Sequence, residues 1–178
     1  MMSFKATSST DKMKSMVDSL LELTKKEVLV GVPSEKASRK NGGEINNAQL
    51  ARIHDLGSPL ASIPARPFME PGISKAQDRI SEQMLKAARA QLDGEVEKID
   101  VALETAGVIA SNSIKKVINE GEGFTPLKRA TLLGRLRRRQ EAKDWSKEKR
   151  EEVMGSFHPL VDTGQLRNSV TYVVRNKE

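Results

Sequence analysis

Between Ser58 and Ile73 the chain reads SPLASIPARPFMEPGI, with four prolines in the thirteen residues from Pro59 to Pro71. This stretch constrains the fold more than any other. Each proline fixes φ near −65°, removes a backbone donor and pushes the preceding residue toward extended geometry. Neither a long helix nor a central strand can pass through it. It reads as a rigid connector anchored by Ile63 and Phe68, and it separates an N-terminal α/β part from a strongly helical middle.

On the N-terminal side, Met13, Met16, Val17, Leu20 and Leu21 stand at i, i+3, i+4, i+7 and i+8, the spacing of an amphipathic helix over 11–25. Ser8, Ser9, Thr10 or Asp11 can cap it. EVLVGVP then predicts a strand from about Glu27 to Val32. The polar run SEKASRKNGGEINN reads as a loop or hairpin tip around Gly42-Gly43. Asn46 or Asn47 opens a short helix through Leu50, Ile53 and His54, closed by Gly57. On the C-terminal side, helical spacing runs from Ile73 to Leu92. It breaks at Asp93-Gly94 and resumes through Ile99, Leu103, Ala106, Ile114 and Val117. Thr125-Pro126 reads as an N-cap followed by proline at the first helical position, opening a basic helix to about Arg139. No internal repeat is visible. The predicted class is α+β: a small, mostly antiparallel sheet packed with two long helices, plus an extended basic arm. Residues 1–127 form the expected core, 128–157 a mobile basic arm or insert, and 158–178 a turn and strand returning to the core sheet.

Composition narrows the function. Apolar residues make up 37% of the 178-residue chain and aromatics 3%. The usual apolar share is roughly 45–50% with glycine counted. A lean core of this kind is consistent with apolar surface buried against partners. The absence of cysteine excludes disulfides, thiolate metal sites and thiol catalysis. No window approaches the about 18 apolar residues of a membrane span, and MMSFKATSSTDKMKSM lacks the apolar stretch of a signal peptide. The expected location is the cytoplasm in which the chain is made.

The two histidines, His54 and His158, sit in no ligand spacing, so no metal and no cofactor is expected. His54 reads as packing on the face of its short helix. GEGF at 121–124 is not a phosphate loop, no GxSxG elbow is present, and Glu151-Glu152 lies in a solvated run. No catalytic residue is assigned, and the chain is not read as an enzyme. The charge is more informative. Residues 128–150 hold ten Lys/Arg against three Asp/Glu, net +7, so the remainder of a chain of net +6 sums to −1. Arg135, Arg137, Arg138 and Arg139 crowd guanidinium groups into five residues. They offer a surface for phosphates or for an acidic partner protein. Aromatic platforms for base stacking are nearly absent nearby, which argues against single-strand readout.

Two stretches carry a family resemblance. ARIHDLGSPLASIPARPFMEPGI resembles the segment A-x-I-H-E/D-x-G … IPARPF of the tail-completion, or neck, proteins of tailed bacteriophages. HPLVDTGQLRNSVTYVV is similar to the same family's PL-x-DTG-x-L-x-x-S-I-x-Y near its C-terminus, and the order of the two motifs also agrees. On physical grounds Pro64, Pro67 and Pro71 hold a connector extended around Arg66 and Phe68. Asp162 or Thr163 caps a turn, Gly164 permits it, Leu166 pins it to the core, and Tyr172 packs on one face of the closing strand. The resemblance implies a virion structural protein at the head–tail junction, assembled as a ring, commonly of six copies. It implies as partners a head connector or adaptor and a tail tube or tail-terminator protein. Non-specific contact with genomic DNA is a further expectation, and a membrane is not. The implied location is the virion neck or tail, with the host cytoplasm during assembly. A tail-terminator ring, or a nucleic-acid-binding accessory protein using the arginines, are the alternatives. The insert 128–157 departs from the shorter members of the family.

Overall fold

The computed structural model describes residues 9–33, 38 and 45–177. The predicted loop at 34–47 lies mostly outside these residues, as does Ser8 among the cap candidates. The element order is α1 (Ser9–Leu23), β1 (Lys26–Gly31), α2 (Asn47–Leu56), α3 (Met69–Lys75), α4 (Gln77–Asp93), α5 (Val96–Glu120), α6 (Arg129–Arg137), α7 (Lys147–Gly155), α8 (Gln165–Ser169) and β2 (Thr171–Asn176), with a 3-10 turn at Gln140–Lys143 before α7. The class is α+β, 63% helical, with β1 and β2 paired antiparallel in a two-stranded sheet.

The chain folds as two units. Of the described residues, 9–30, 76–110 and 172–177 belong to one; 31–33, 38, 45–75 and 111–171 belong to the other. This division differs from the expected core-plus-arm arrangement. α5 contributes to both, residues 96–110 to the first and 111–120 to the second.

In the first unit, Ala87 and Ala90 of α4 bury against Ile99, Ala102 and Leu103 of α5. The alanines bring the helix surfaces close, because little side chain separates them. Leu23, Val28 and Val174 cover the cluster, so the strands supply its remaining wall. Gly94 closes α4, its N–H directed to Ala90 O and Gln91 O, at the predicted break. Tyr172 of β2 lies on α5 at Gly107, where an added Cβ would come within 2.3 Å of the ring. Glu27 and Arg175 pair between the strands at 2.8 Å, and Lys26 pairs with Asp100. The apolar stripe of α1 stays largely exposed: Met13 64%, Met16 53% and Leu21 55%.

In the second unit, Phe68, Ile114, Ile118 and Val170 are the largest fully buried side chains. α3 reaches this core because Gly72 has no Cβ; one there would meet Ile114 Cα at 2.7 Å. The proline connector is shorter than expected. Helix begins at Met69 instead of Ile73, and Pro71 sits in the first turn of α3, where its missing donor costs nothing. The pattern expected to run unbroken from Ile73 is interrupted at Ala76, which separates α3 from α4.

Two further expectations are corrected here. The basic helix starts at Arg129, with Lys128 at the N-cap, and not at Pro126. The carbonyls of Thr125 and Pro126 accept instead from the Arg66 guanidinium, at 2.8 and 3.3 Å, which keeps these residues out of the helix. The stretch 128–157 is not an extended arm. α6, the 3-10 turn and α7 close over Leu136, Ala142 and Met154, with Leu132, Leu133, Trp145, Val153 and Phe157 around them. Its apolar residues are spread over three short elements, so no single helical period shows them.

Candidate partner-binding cleft

α2 is built from local signals. Asn46 accepts from Gln49 N at 2.8 Å, and the Gln49 side chain accepts from Asn46 N at 3.0 Å, a complete capping box. Gly57 ends the helix at φ 78°; a Cβ there would strike Ala65 N at 2.8 Å, so glycine is required twice over. The next residues double back, with Ser58 bridged to Ile63, and Arg66 N donates to His54 O at 2.8 Å. The connector is thereby laid along the end of α2. Asp55 completes the join: its Oδ1 accepts from Phe68 N at 2.8 Å and Met69 N at 3.1 Å, capping α3 from a residue thirteen positions away.

The segment after α7 is tied down in the same manner. Arg135 Nη1 donates to His158 O at 2.8 Å and Val161 O at 2.9 Å. Arg138 pairs with Asp162 at 2.7 Å, and Arg135 Nε stands 3.8 Å from the same carboxylate. Gly164 (φ 75°) precedes α8, Leu166 is buried, and Ser169 Oγ donates to Leu166 O. Gly164 holds the N-cap position of α8; Asp162 is drawn to the two arginines instead of capping, while Thr163 Oγ1 accepts from Gln165 N, the first amide of α8, at 3.4 Å.

These pieces enclose a cleft of about 390 Å3. Asn47, Leu50 and His54 line it from one face of α2. Lys128, Thr131, Arg135 and Arg138 line it from α6 and its two caps, and Leu160 with residues 162–166 forms a third wall. Arg66 and Pro64 belong to the lining as well. Both stretches that carry the family resemblance thus meet in one place within the second unit, with part of the arginine cluster between them.

The expected site residues divide accordingly. Pro64, Arg66, Arg135, Arg138, Asp162, Thr163, Gly164 and Leu166 line the cleft. Pro67 is exposed and Phe68 is buried in the core. Arg139 stacks over Phe157 at 5.0 Å, and exposed Arg137 has no ion-pair partner among the described residues. Tyr172 belongs to the first unit. Of the arginines expected to form one phosphate-binding surface, Arg135 and Arg138 share Asp162, Arg139 lies over Phe157, and Arg137 is exposed.

Cationic charge in the cleft is undercompensated. Burial holds the Arg66 guanidinium below its ordinary range. Burial does the same to Arg135, which Asp162 opposes and Arg138 and Arg66 reinforce. Burial, then Arg66 and Arg135, push His54 below its ordinary 6.5, so its ring is neutral. His54 Nδ1 and Asn47 Oδ1 are buried without a hydrogen-bond partner. The groups gathered here have the chemistry to bind and orient: cations for an anion, an imidazole and an amide oxygen for a polar neighbour.

Asn47, His54, Asp55 and Lys128 were not singled out as site residues from the sequence. The i, i+3, i+7 spacing of Asn47, Leu50 and His54 was the signal that could have placed three lining residues on one face. No group of three or more potential metal ligands occurs among the described residues, and no helix among them is long and apolar enough to cross a membrane. Comparison of the chain with protein-family models, curated proteins and solved structures returns no match.

Proposed function

We propose that this chain is a non-enzymatic virion structural protein of the head–tail junction. In this reading copies of the chain, six by the family resemblance, form a ring between a head connector or adaptor and a tail tube or tail-terminator protein. The observation that carries the reading is the meeting of the two resembling stretches. His54, Pro64 and Arg66 of the first stretch and Leu160, Asp162 and Leu166 of the second are far apart in sequence yet line one cleft, and Arg135 and Arg138 hold the second stretch in place beside it. A pair of chance matches has no reason to line one cleft.

Two further features support assembly over solitary action. α1 leaves Met13, Met16, Val17, Leu20 and Leu21 exposed in a continuous stripe, an arrangement characteristic of interaction surfaces. Arg135 is committed to the His158 and Val161 carbonyls and Arg139 lies over Phe157, so the four arginines form no continuous phosphate-binding surface, which favours a protein-assembly role over a nucleic-acid accessory role. Contact with genomic DNA then falls to exposed residues such as Arg137.

Cryo-EM of the head–tail junction in particles from a host producing this protein tests the proposal. A closed ring of this chain at the neck is the expected result. A ring at the tube end, away from the connector, would assign it as a tail terminator. Joined particles lacking the chain would overturn the structural role altogether.

A further inference from the structure

The cleft between α2 and α6 holds two kinds of polar group that one ligand must satisfy together. On the α6 side stand Lys128, Arg135 and Arg138, with Asp162 as a carboxylate partner already shared by both arginines. Lys128 and Arg138 are exposed and keep donors directed to solvent; Lys128 Nζ makes a long 3.3 Å contact to Ser62 O. On the α2 side, Asn47 is 3% exposed, and its Nδ2 donates to Ser38 O at 3.4 Å while Oδ1 has no donor facing it. His54 Nδ1 is likewise unpartnered. A buried acceptor without a donor destabilises the fold by the hydration it has lost. The wall therefore favours a ligand that brings N–H or O–H groups as well as negative charge.

We propose that this cleft binds an acidic peptide segment of a partner protein, its carboxylate held by Lys128 and Arg138 and a backbone N–H directed to Asn47. A peptide supplies both chemistries at a spacing of a few ångströms, since every non-proline residue carries a donor beside its side chain. A phosphodiester backbone supplies acceptors alone and leaves Asn47 Oδ1 unsatisfied. The volume, about 390 Å3, suits one or two side chains with their backbone. The inference stands on the cleft's own chemistry, and the neck assignment is judged separately by the location of the chain in particles.

The test uses the full chain and fluorescence anisotropy at about 0.15 M salt, where exposed charges are screened beyond ~8 Å. The probes are a capped peptide of alternating aspartate and glycine, its asparagine–glycine counterpart, and a single-stranded oligonucleotide of equal charge. Binding of the aspartate peptide alone is expected. The double substitution Lys128→Glu with Arg138→Glu, both at exposed positions, should weaken it at least about tenfold, the loss of one charge-assisted hydrogen bond. Asn47→Leu, which keeps the shape and removes the acceptor, should weaken it severalfold, with circular dichroism confirming the fold of each variant. Oligonucleotide binding as tight as the peptide's, peptide binding indifferent to the double substitution, or no binding of either probe would each overturn the proposal.

Discussion

Replacing Gly107 with alanine tests how the C-terminal strand is seated. In a helix interior this substitution alone favours folding by about 1 kcal/mol, because glycine loses more backbone freedom. Here the new methyl carbon would lie 2.3 Å from Tyr172 Cδ2, 2.5 Å from Cγ and 3.0 Å from Cβ. Carbon contacts are optimal near 3.5–4.0 Å, so the ring must retreat by more than an ångström. Rotating χ1 does not suffice, because Tyr172 Cβ is itself too close; the strand must shift. Overpacking of this kind costs about 1–3 kcal/mol, and a contact this short belongs at the upper end. The net loss should be about 1–2 kcal/mol, a drop in Tm of roughly 2–8 °C for a chain of this size. In a Tyr172→Ala background the obstruction is gone, so Gly107→Ala should become stabilising by about 1 kcal/mol. The sign reversal, a coupling of about 2–3 kcal/mol, is read from urea denaturation of the double-mutant cycle, with hydrogen exchange of the β2 amides reporting the strand locally. Equal destabilisation in both backgrounds would refute the argument that Tyr172 makes the close approach.

The remaining predictions concern the second unit. Asp55→Ala should cost about 1–2 kcal/mol by leaving the Phe68 and Met69 amides without their acceptor. Asp55→Asn should recover part of this in the same denaturation assay, and full tolerance of alanine would show that α3 needs no cap. His54 is held below 6.5 when folded, so the unfolded chain takes up a proton that the folded chain resists. Its contribution is complete above pH 6.5 and is lost as pH falls through the folded value. The urea midpoint should therefore decline from about pH 7 to pH 5.5, and His54→Gln should flatten that decline; an unchanged slope would remove His54 as its cause.

Much of the local architecture was legible because its causes are local. The helix start at Asn46, the turn at Gly57, the break at Gly94 and the strand character near both ends depend on residues within a few positions of each other. Helical periods and cap chemistry express such causes directly. Sequence spacing also made the α1 stripe visible, although not that its apolar face would remain exposed.

What only the tertiary structure decided are the boundaries and pairings set from a distance. α3 begins at Met69 because Asp55 supplies the acceptor, and α6 begins late because Arg66, fifty-nine residues from Thr125, holds the preceding carbonyls. Arg135 and Arg138 look like a free basic surface in the sequence. In the fold they bind His158, Val161 and Asp162, turning an apparent arm into a wall of the cleft. A guanidinium or carboxylate takes whichever partner the fold brings within about 3 Å, and linear spacing carries no record of that choice. The sequence by itself determined where this chain bends, caps and turns; the tertiary structure determined which of its charges are spent on holding it together and which remain to meet a partner.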